Sequence, residues 1–220
     1  MQTLPEKAML EQLSSLPEQL SPEQSRQLMD ETLEAYEAHL DRFLPLYVRI
    51  LGEEMLEWRA EGSFLYTPSG ERYMDCLGAG GVFGLGFRHP KVVQAVKHQL
   101  DRVALSSRIF LNPTTAALAR KLTSIAPQGL DQVWFANSGT ESLEAALKLA
   151  RLATGRPGIV GTQFGYHGMS IGTLSISGLD AWRRGTEPAV GGSSVIAFND
   201  LEAVQHAVTR ETAALVLEPV

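Results

Sequence analysis

The chain has 220 residues, 44% of them hydrophobic and 20% charged, which is ordinary for a water-soluble protein and enough to bury a real core. A net charge of −6 offers no basic stripe to replace phosphate counterions, so nucleic acid is excluded as the main partner. The lone Cys76 cannot form an internal disulfide, no apolar run reaches the about 18–20 residues of a membrane span, and residues 1–16 lack a signal-peptide pattern, so the expectation is a cytoplasmic protein without a membrane partner.

Residues 1–55 read as a helical segment, with no glycine before Gly52. Ser21-Pro22-Glu23-Gln24 has the form of an N-cap, a proline at the first helical position and a capping-box glutamine. Leu33, Tyr36, Leu40 and Phe43 follow at helical spacing as one apolar stripe, expected to pack against the body of the protein or a second subunit. Residues 56–112 change texture. Phe64-Leu65-Tyr66-Thr67 and Arg72-Tyr73-Met74-Asp75 flank Pro68-Ser69-Gly70-Glu71, which predicts a β-hairpin. The glycine-dense stretch 78–86 has no glycines at the i, i+2, i+5 spacing of a dinucleotide fingerprint, so it reads as a tightly turned loop. His89-Pro90 then opens a helix that runs to about Val103.

Residues 113–220 alternate between the two periods. Leu118, Leu122 and Ile125 mark a helix, Val133-Trp134-Phe135-Ala136 a short strand, and Leu143, Leu147 and Ala150 the next helix. Gly158-Ile159-Val160-Gly161, Val195-Ile196-Ala197-Phe198 and Ala213-Ala214-Leu215-Val216-Leu217 are further strands, the last two separated by a helix near 201–208. Short apolar strands alternating with amphipathic helices define an α/β layer with a mostly parallel sheet buried on both faces.

Three polar features fall at the C-terminal ends of these strands, where open α/β sheets bind ligands. In Asn137-Ser138-Gly139-Thr140-Glu141 a strand runs directly into a helix. Unpaired N–H groups, the helix dipole, a glycine and two hydroxyls there suit a monophosphate ester. The plainer reading is that Asn137 or Ser138 only caps the helix. Glu141 sits badly beside an anion, so its side chain is expected to turn away. Phe164-Gly165-Tyr166-His167-Gly168-Met169 presents a flat ring and an imidazole between two glycines, and Glu218 lies in Leu217-Glu218-Pro219. No metal-ligand spacing occurs among them.

Together these segments resemble the class III, ornithine-type aminotransferases. The run 137–151 is similar to that family's phosphate-loop segment, and Gly165-Tyr166-His167-Gly168 to its aromatic-His-Gly motif. Residues 75–86 with His89-Pro90, Phe110-Leu111-Asn112-Pro113 and Leu217-Glu218-Pro219 match further landmarks in order, so the resemblance covers about residues 50–220. It implies fold type I: a large domain with a mostly parallel sheet, here its first part at 113–220, plus part of a small α+β domain and linker at 56–112. It also implies pyridoxal 5'-phosphate as cofactor, with Ser138, Gly139 and Thr140 on its phosphate, Tyr166 stacked on its ring, His167 beside it and Glu218 nearby. A homodimer acting on small amines and oxo acids is implied as well.

Two departures shape the expected activity. An arginine that contacts a substrate carboxylate commonly follows the aromatic-His-Gly motif in family members acting on α-amino acids, whereas here it is Met169. A diamine or ω-amino donor is therefore favoured, with a 2-oxo acid or aldehyde as acceptor. None of Lys7, Lys91, Lys97, Lys121 and Lys148 lies in the context of the family's cofactor-bearing lysine, so the expectation is that this lysine and the aspartate facing the ring nitrogen lie outside residues 1–220, on a further segment or a second chain. The alternatives are a non-catalytic assembly or regulatory module on the same fold, or a racemase, aminomutase, decarboxylase or lyase reaction.

Overall fold

The computed structural model describes residues 15–52, 55–107, 109–186 and 190–219. The chain divides into two units, Met1–Phe110 and Leu111–Val220. Among the described residues no helix is long and apolar enough to cross a membrane, and no group of three His, Cys, Asp or Glu side chains could hold a metal ion.

In the first unit, helix α1 (Pro22–His39) starts where its capping signal lies. Ser21 Oγ accepts from Gln24 N at 3.2 Å, and Ser21 N donates to the Gln24 side chain at 3.0 Å. The apolar stripe does not continue on this helix as expected. Leu40 leaves helical geometry (φ −123°), and a second helix, α2 (Phe43–Leu51), begins after it. The Asp41 carboxylate causes this restart, accepting from Phe43 N and Leu44 N at 3.0 Å each, and these bonds hold its carboxyl below the usual carboxylate range. Of the four stripe residues only Leu33 is buried, while Leu40 and Phe43 are exposed. Residues 1–14 lie outside the described part, as does any role expected for them.

The expected hairpin is present and has a third strand on its outer edge. Strands β1 (Arg59–Glu61), β2 (Phe64–Tyr66) and β3 (Arg72–Met74) form an antiparallel sheet in that order. Arg59 faces Tyr66 directly in the register, and its guanidinium sits 3.9 Å from the ring centroid. The glycine-dense stretch folds as a loop with one helical turn, Gly78–Gly81, and returns to the sheet by a bridge between Gly62 and Phe87. Gly86 permits that return: its φ is +77°, and a Cβ there would stand 2.8 Å from Gly62 O. Helix α3 (Pro90–Arg102) follows.

The second unit holds α4 (Pro113–Ile125), capped by Asn112, and α5 (Gly139–Thr154). Strand β4 (Gly158–Thr162) is central in a parallel sheet of order β5-β4-β6, between β5 (Ser193–Ile196) and β6 (Thr212–Leu215). The crossovers contain short helices α6 (Ile171–Leu174) and α7 (Asp180–Arg183) before β5, and α8 (Leu201–Ala207) before β6. The predicted strands at 195–198 and 213–217 thus begin two residues and one residue earlier, respectively, than their apolar runs. Ile159 on β4 is 1% exposed and packs with Leu147 of α5 and Ile176, the centre of this unit's core.

Residues 133–136 correct the reading of a strand there. They form no ladder with any described strand, and Trp134 is 75% exposed. An apolar, β-prone run becomes a strand only when a neighbour takes its N–H and C=O groups, and no described strand does so.

Candidate cofactor site

Because β4, β5 and β6 are parallel, their C-terminal ends share one edge of the sheet, and the loops 163–170 and 216–219 leave from it. At the start of α5, Ser138 is the N-cap: its Oγ accepts from Glu141 N at 3.1 Å, so its own hydroxyl hydrogen stays available. The capping reading of Ser138 is therefore correct as far as it goes. The Glu141 carboxylate folds back onto Asn137, taking its N–H at 2.8 Å and its side-chain amide at 3.1 Å. That fixes Glu141 away from the N–H groups of Gly139 and Thr140, which belong to the first helical turn and have no carbonyl to bond.

Gly139 is not explained by the protein around it. Its φ lies outside the left-handed region, and among the described residues a Cβ added there would meet nothing within 4 Å beyond its chain neighbours and its own helix backbone. The bare backbone therefore faces open space at the positive end of a helix of 16 residues. Thr140 beside it is partly buried, and its Oγ1 has no hydrogen-bond partner among the described residues.

The aromatic loop meets this helix start at one point. Gly168 (φ +114°) lies against Thr140, and a Cβ at 168 would be 2.8 Å from Thr140 Cβ and would overlap its hydroxyl. The loop is also tied to the end of β6: Tyr166 N donates to Glu218 Oε2 at 2.6 Å. Tyr166 is 54% exposed, and its ring stands edge-on to Trp182 of α7, with centroids 5.2 Å apart. Phe164, just upstream, holds a left-handed backbone (φ 69°), a conformation costly for a bulky residue and typical of functional loops.

His167 follows Tyr166, and its Nε2 is buried with no hydrogen-bond partner among the described residues. Burial pushes its pKa below the ordinary imidazole value, while the Glu218 carboxylate pulls in the opposite direction. Met169 is 55% exposed at the end of the loop. The described lysines, Lys91, Lys97, Lys121 and Lys148, are all exposed on α3, α4 and α5.

Of the six residues singled out from the sequence, Thr140 lies beside the Tyr166–His167 loop through Gly168, and Glu218 holds that loop from the other side. Ser138 and Gly139 complete the helix start to which Thr140 belongs. Trp182 escaped sequence reasoning, because nothing in Asp180-Ala181-Trp182-Arg183 marks it for contact with a residue sixteen positions earlier.

The chain belongs to the class III aminotransferase family, whose model matches residues 53–220. It is 39% identical to a putrescine aminotransferase of Pectobacterium atrosepticum over 75% of this chain and 37% of that protein. It is also 39% identical to an acetylornithine aminotransferase of Methanopyrus kandleri over 73% of this chain and 41% of that one. A crystal structure of a thermostable (S)-enantioselective ω-transaminase from Thermomicrobium roseum superposes with a TM-score of 0.74 at 27% identity, covering 87% of this chain and 49% of the other. The fold is therefore the fold type I transferase fold, and the chain spans less than half the length of these relatives.

Proposed function

We propose that this chain supplies the phosphate- and ring-binding half of an enzyme that uses pyridoxal 5'-phosphate to move an amino group from a diamine or ω-amino donor to a 2-oxo acid or aldehyde. The observation that carries the reading is the contact between Thr140 and Gly168, which joins an anion-ready helix start to a loop bearing an aromatic ring and an imidazole. The residues fit the cofactor. The open space at Gly139, the unpaired first-turn N–H groups and the free Thr140 hydroxyl suit a monophosphate, and the half-exposed Tyr166 ring suits a planar heterocycle.

The bound cofactor would supply an electron-accepting ring for the pair left when the amine-bearing carbon loses its proton. This chain's residues do the holding. The N–H groups of Gly139 and Thr140 and the hydroxyls of Ser138 and Thr140 would donate to the phosphate, and the dipole of α5 would favour its charge. Tyr166 would lie along the ring, with its backbone fixed by Glu218. His167 would pack beside it, its pKa held down by burial. No lysine of residues 1–220 is assigned to the chemistry. The same reading takes the working unit as a cytoplasmic homodimer.

Met169 supports the donor class. A thioether donates no hydrogen bond, so an α-carboxylate finds no partner at this point of the loop. The relatives include both putrescine and acetylornithine aminotransferases, and the choice between those donors is the discriminating experiment. The full-length natural protein, supplied with pyridoxal phosphate and a 2-oxo acid, is expected to show a higher kcat/KM with putrescine than with acetylornithine. A preference for acetylornithine contradicts the donor assignment.

A further inference from the structure

Glu144 lies in the second turn of α5, beyond the cap at 138–141, and has no part in it. Its Oε1 accepts two hydrogen bonds from a distant segment, from Ser170 Oγ at 2.5 Å and from Thr173 N at 3.1 Å. Ser170 occupies the N-cap position of α6 but makes no capping bond of its own. Its hydroxyl is turned to Glu144, and Glu144 takes the Thr173 N–H that a capping side chain would ordinarily receive. A carboxylate from the phosphate-side helix therefore caps the helix that follows the aromatic loop.

The connection continues into that loop. Thr173, Ile176 and Ser177 are completely buried. Ser177 Oγ shares its one hydrogen between Thr173 O at 3.1 Å and Gly168 O at 3.3 Å. Gly178 N donates to Gly165 O at 2.7 Å. The carbonyls of the two glycines that flank Tyr166 and His167 are thus gripped by the segment that Glu144 anchors.

We infer that Glu144 is a positioning residue that locks the Tyr166–His167 loop to the start of α5. A ligand whose phosphate and ring are joined covalently needs the groups for each at a fixed separation, and small misplacements weaken binding. The value of the lock to cofactor binding rests on the proposed cofactor site; the lock itself does not. Both bonds end on one oxygen, so the lock needs an acceptor at that place. An amide oxygen has two lone pairs and can replace it.

The test uses the full-length natural protein with Glu144→Ala, Glu144→Gln and Ser170→Ala. Hydrogen exchange read by mass spectrometry on the cofactor-free proteins reports the lock without any ligand, and a pyridoxal phosphate titration then reports its consequence. Glu144→Ala is expected to speed exchange across residues 165–178 and to raise the dissociation constant about tenfold or more. Glu144→Gln should restore both to near the wild-type values. Ser170→Ala, which keeps the bond to Thr173 N, should fall between them and decides the matter if Glu144→Ala does not fold. Unchanged exchange across 165–178 in Glu144→Ala or Ser170→Ala overturns the inference, as does a Glu144→Gln protein as impaired as Glu144→Ala. A wild-type protein that binds no pyridoxal phosphate defeats the cofactor reading, while the exchange measurement still decides the lock.

Discussion

Gly168 sits against the side chain of Thr140 with no room for even one more carbon atom, and this contact joins the loop after β4 to the start of α5. Gly168→Ala adds that carbon and also forces a side chain onto a backbone with φ +114°. The expected result is a loss of about 1–3 kcal/mol in stability from strain and overpacking, together with weaker cofactor binding as Thr140 is displaced. Thermal unfolding and a pyridoxal phosphate titration check the two halves of this expectation.

Thr140→Val separates binding from stability. The Thr140 hydroxyl has no partner within the described protein, so its removal leaves no internal hydrogen bond broken. The melting temperature should stay near that of the wild type. Pyridoxal phosphate should bind more weakly by about 1–3 kcal/mol, the usual range for a hydrogen bond to a charged group. An equal dissociation constant would remove Thr140 from the phosphate site.

His167 makes stability depend on pH in a defined direction. Its folded pKa is lowered, chiefly by burial, from an ordinary value of 6.5. Between 6.5 and the folded value the unfolded chain binds a proton that the folded chain does not, so stability falls as pH drops through that window and is flat above it. His167→Gln should flatten this slope in unfolding curves measured across the window. Glu218→Gln removes the one charge that opposes the shift, and NMR titration of His167 should then give a still lower pKa.

The core of the second unit depends on β4. Ile159 is 1% exposed between Leu147 and Ile176, and truncation leaves a cavity that a close-packed interior fills poorly. Ile159→Ala should cost about 2–5 kcal/mol in denaturant unfolding of the full-length protein. A cost below about 1 kcal/mol would show that this cluster does not hold the sheet to α5.

Local chemistry was legible wherever neighbours in sequence decide the outcome. Ser21 and Gln24 cap α1, Ser138 caps α5, and the hairpin turns at 68–71, as their residue types require. Tyr166 and Glu218 were legible as neighbours because each follows an apolar strand, and the parallel order β5-β4-β6 brings the loops after β4 and β6 to the same end of the sheet. What failed depends on distant partners. Residues 133–136 carry the composition of a strand, but pairing is a property of the neighbour. The break at Leu40 comes from Asp41 outcompeting a continuous helix for the N–H groups of Phe43 and Leu44. Nothing in the sequence marks Glu144, since its partners stand 26 and 29 residues away.

The most direct test of the phosphate site is the pyridoxal phosphate dissociation constant of Gly139→Val in the full-length natural protein, followed by absorbance and compared with the wild type. Among the described residues nothing beyond its chain neighbours and its own helix backbone comes within 4 Å of a Cβ at Gly139, and the backbone is not left-handed, so the substitution should leave folding and the melting temperature close to wild type apart from a small helix-propensity effect. The side chain would nevertheless project into the space assigned to the phosphate. The expected result is a dissociation constant raised about tenfold or more on an intact fold, through loss of contacts to a charged group. A variant that binds pyridoxal phosphate as tightly as the wild type would show that the phosphate lies elsewhere.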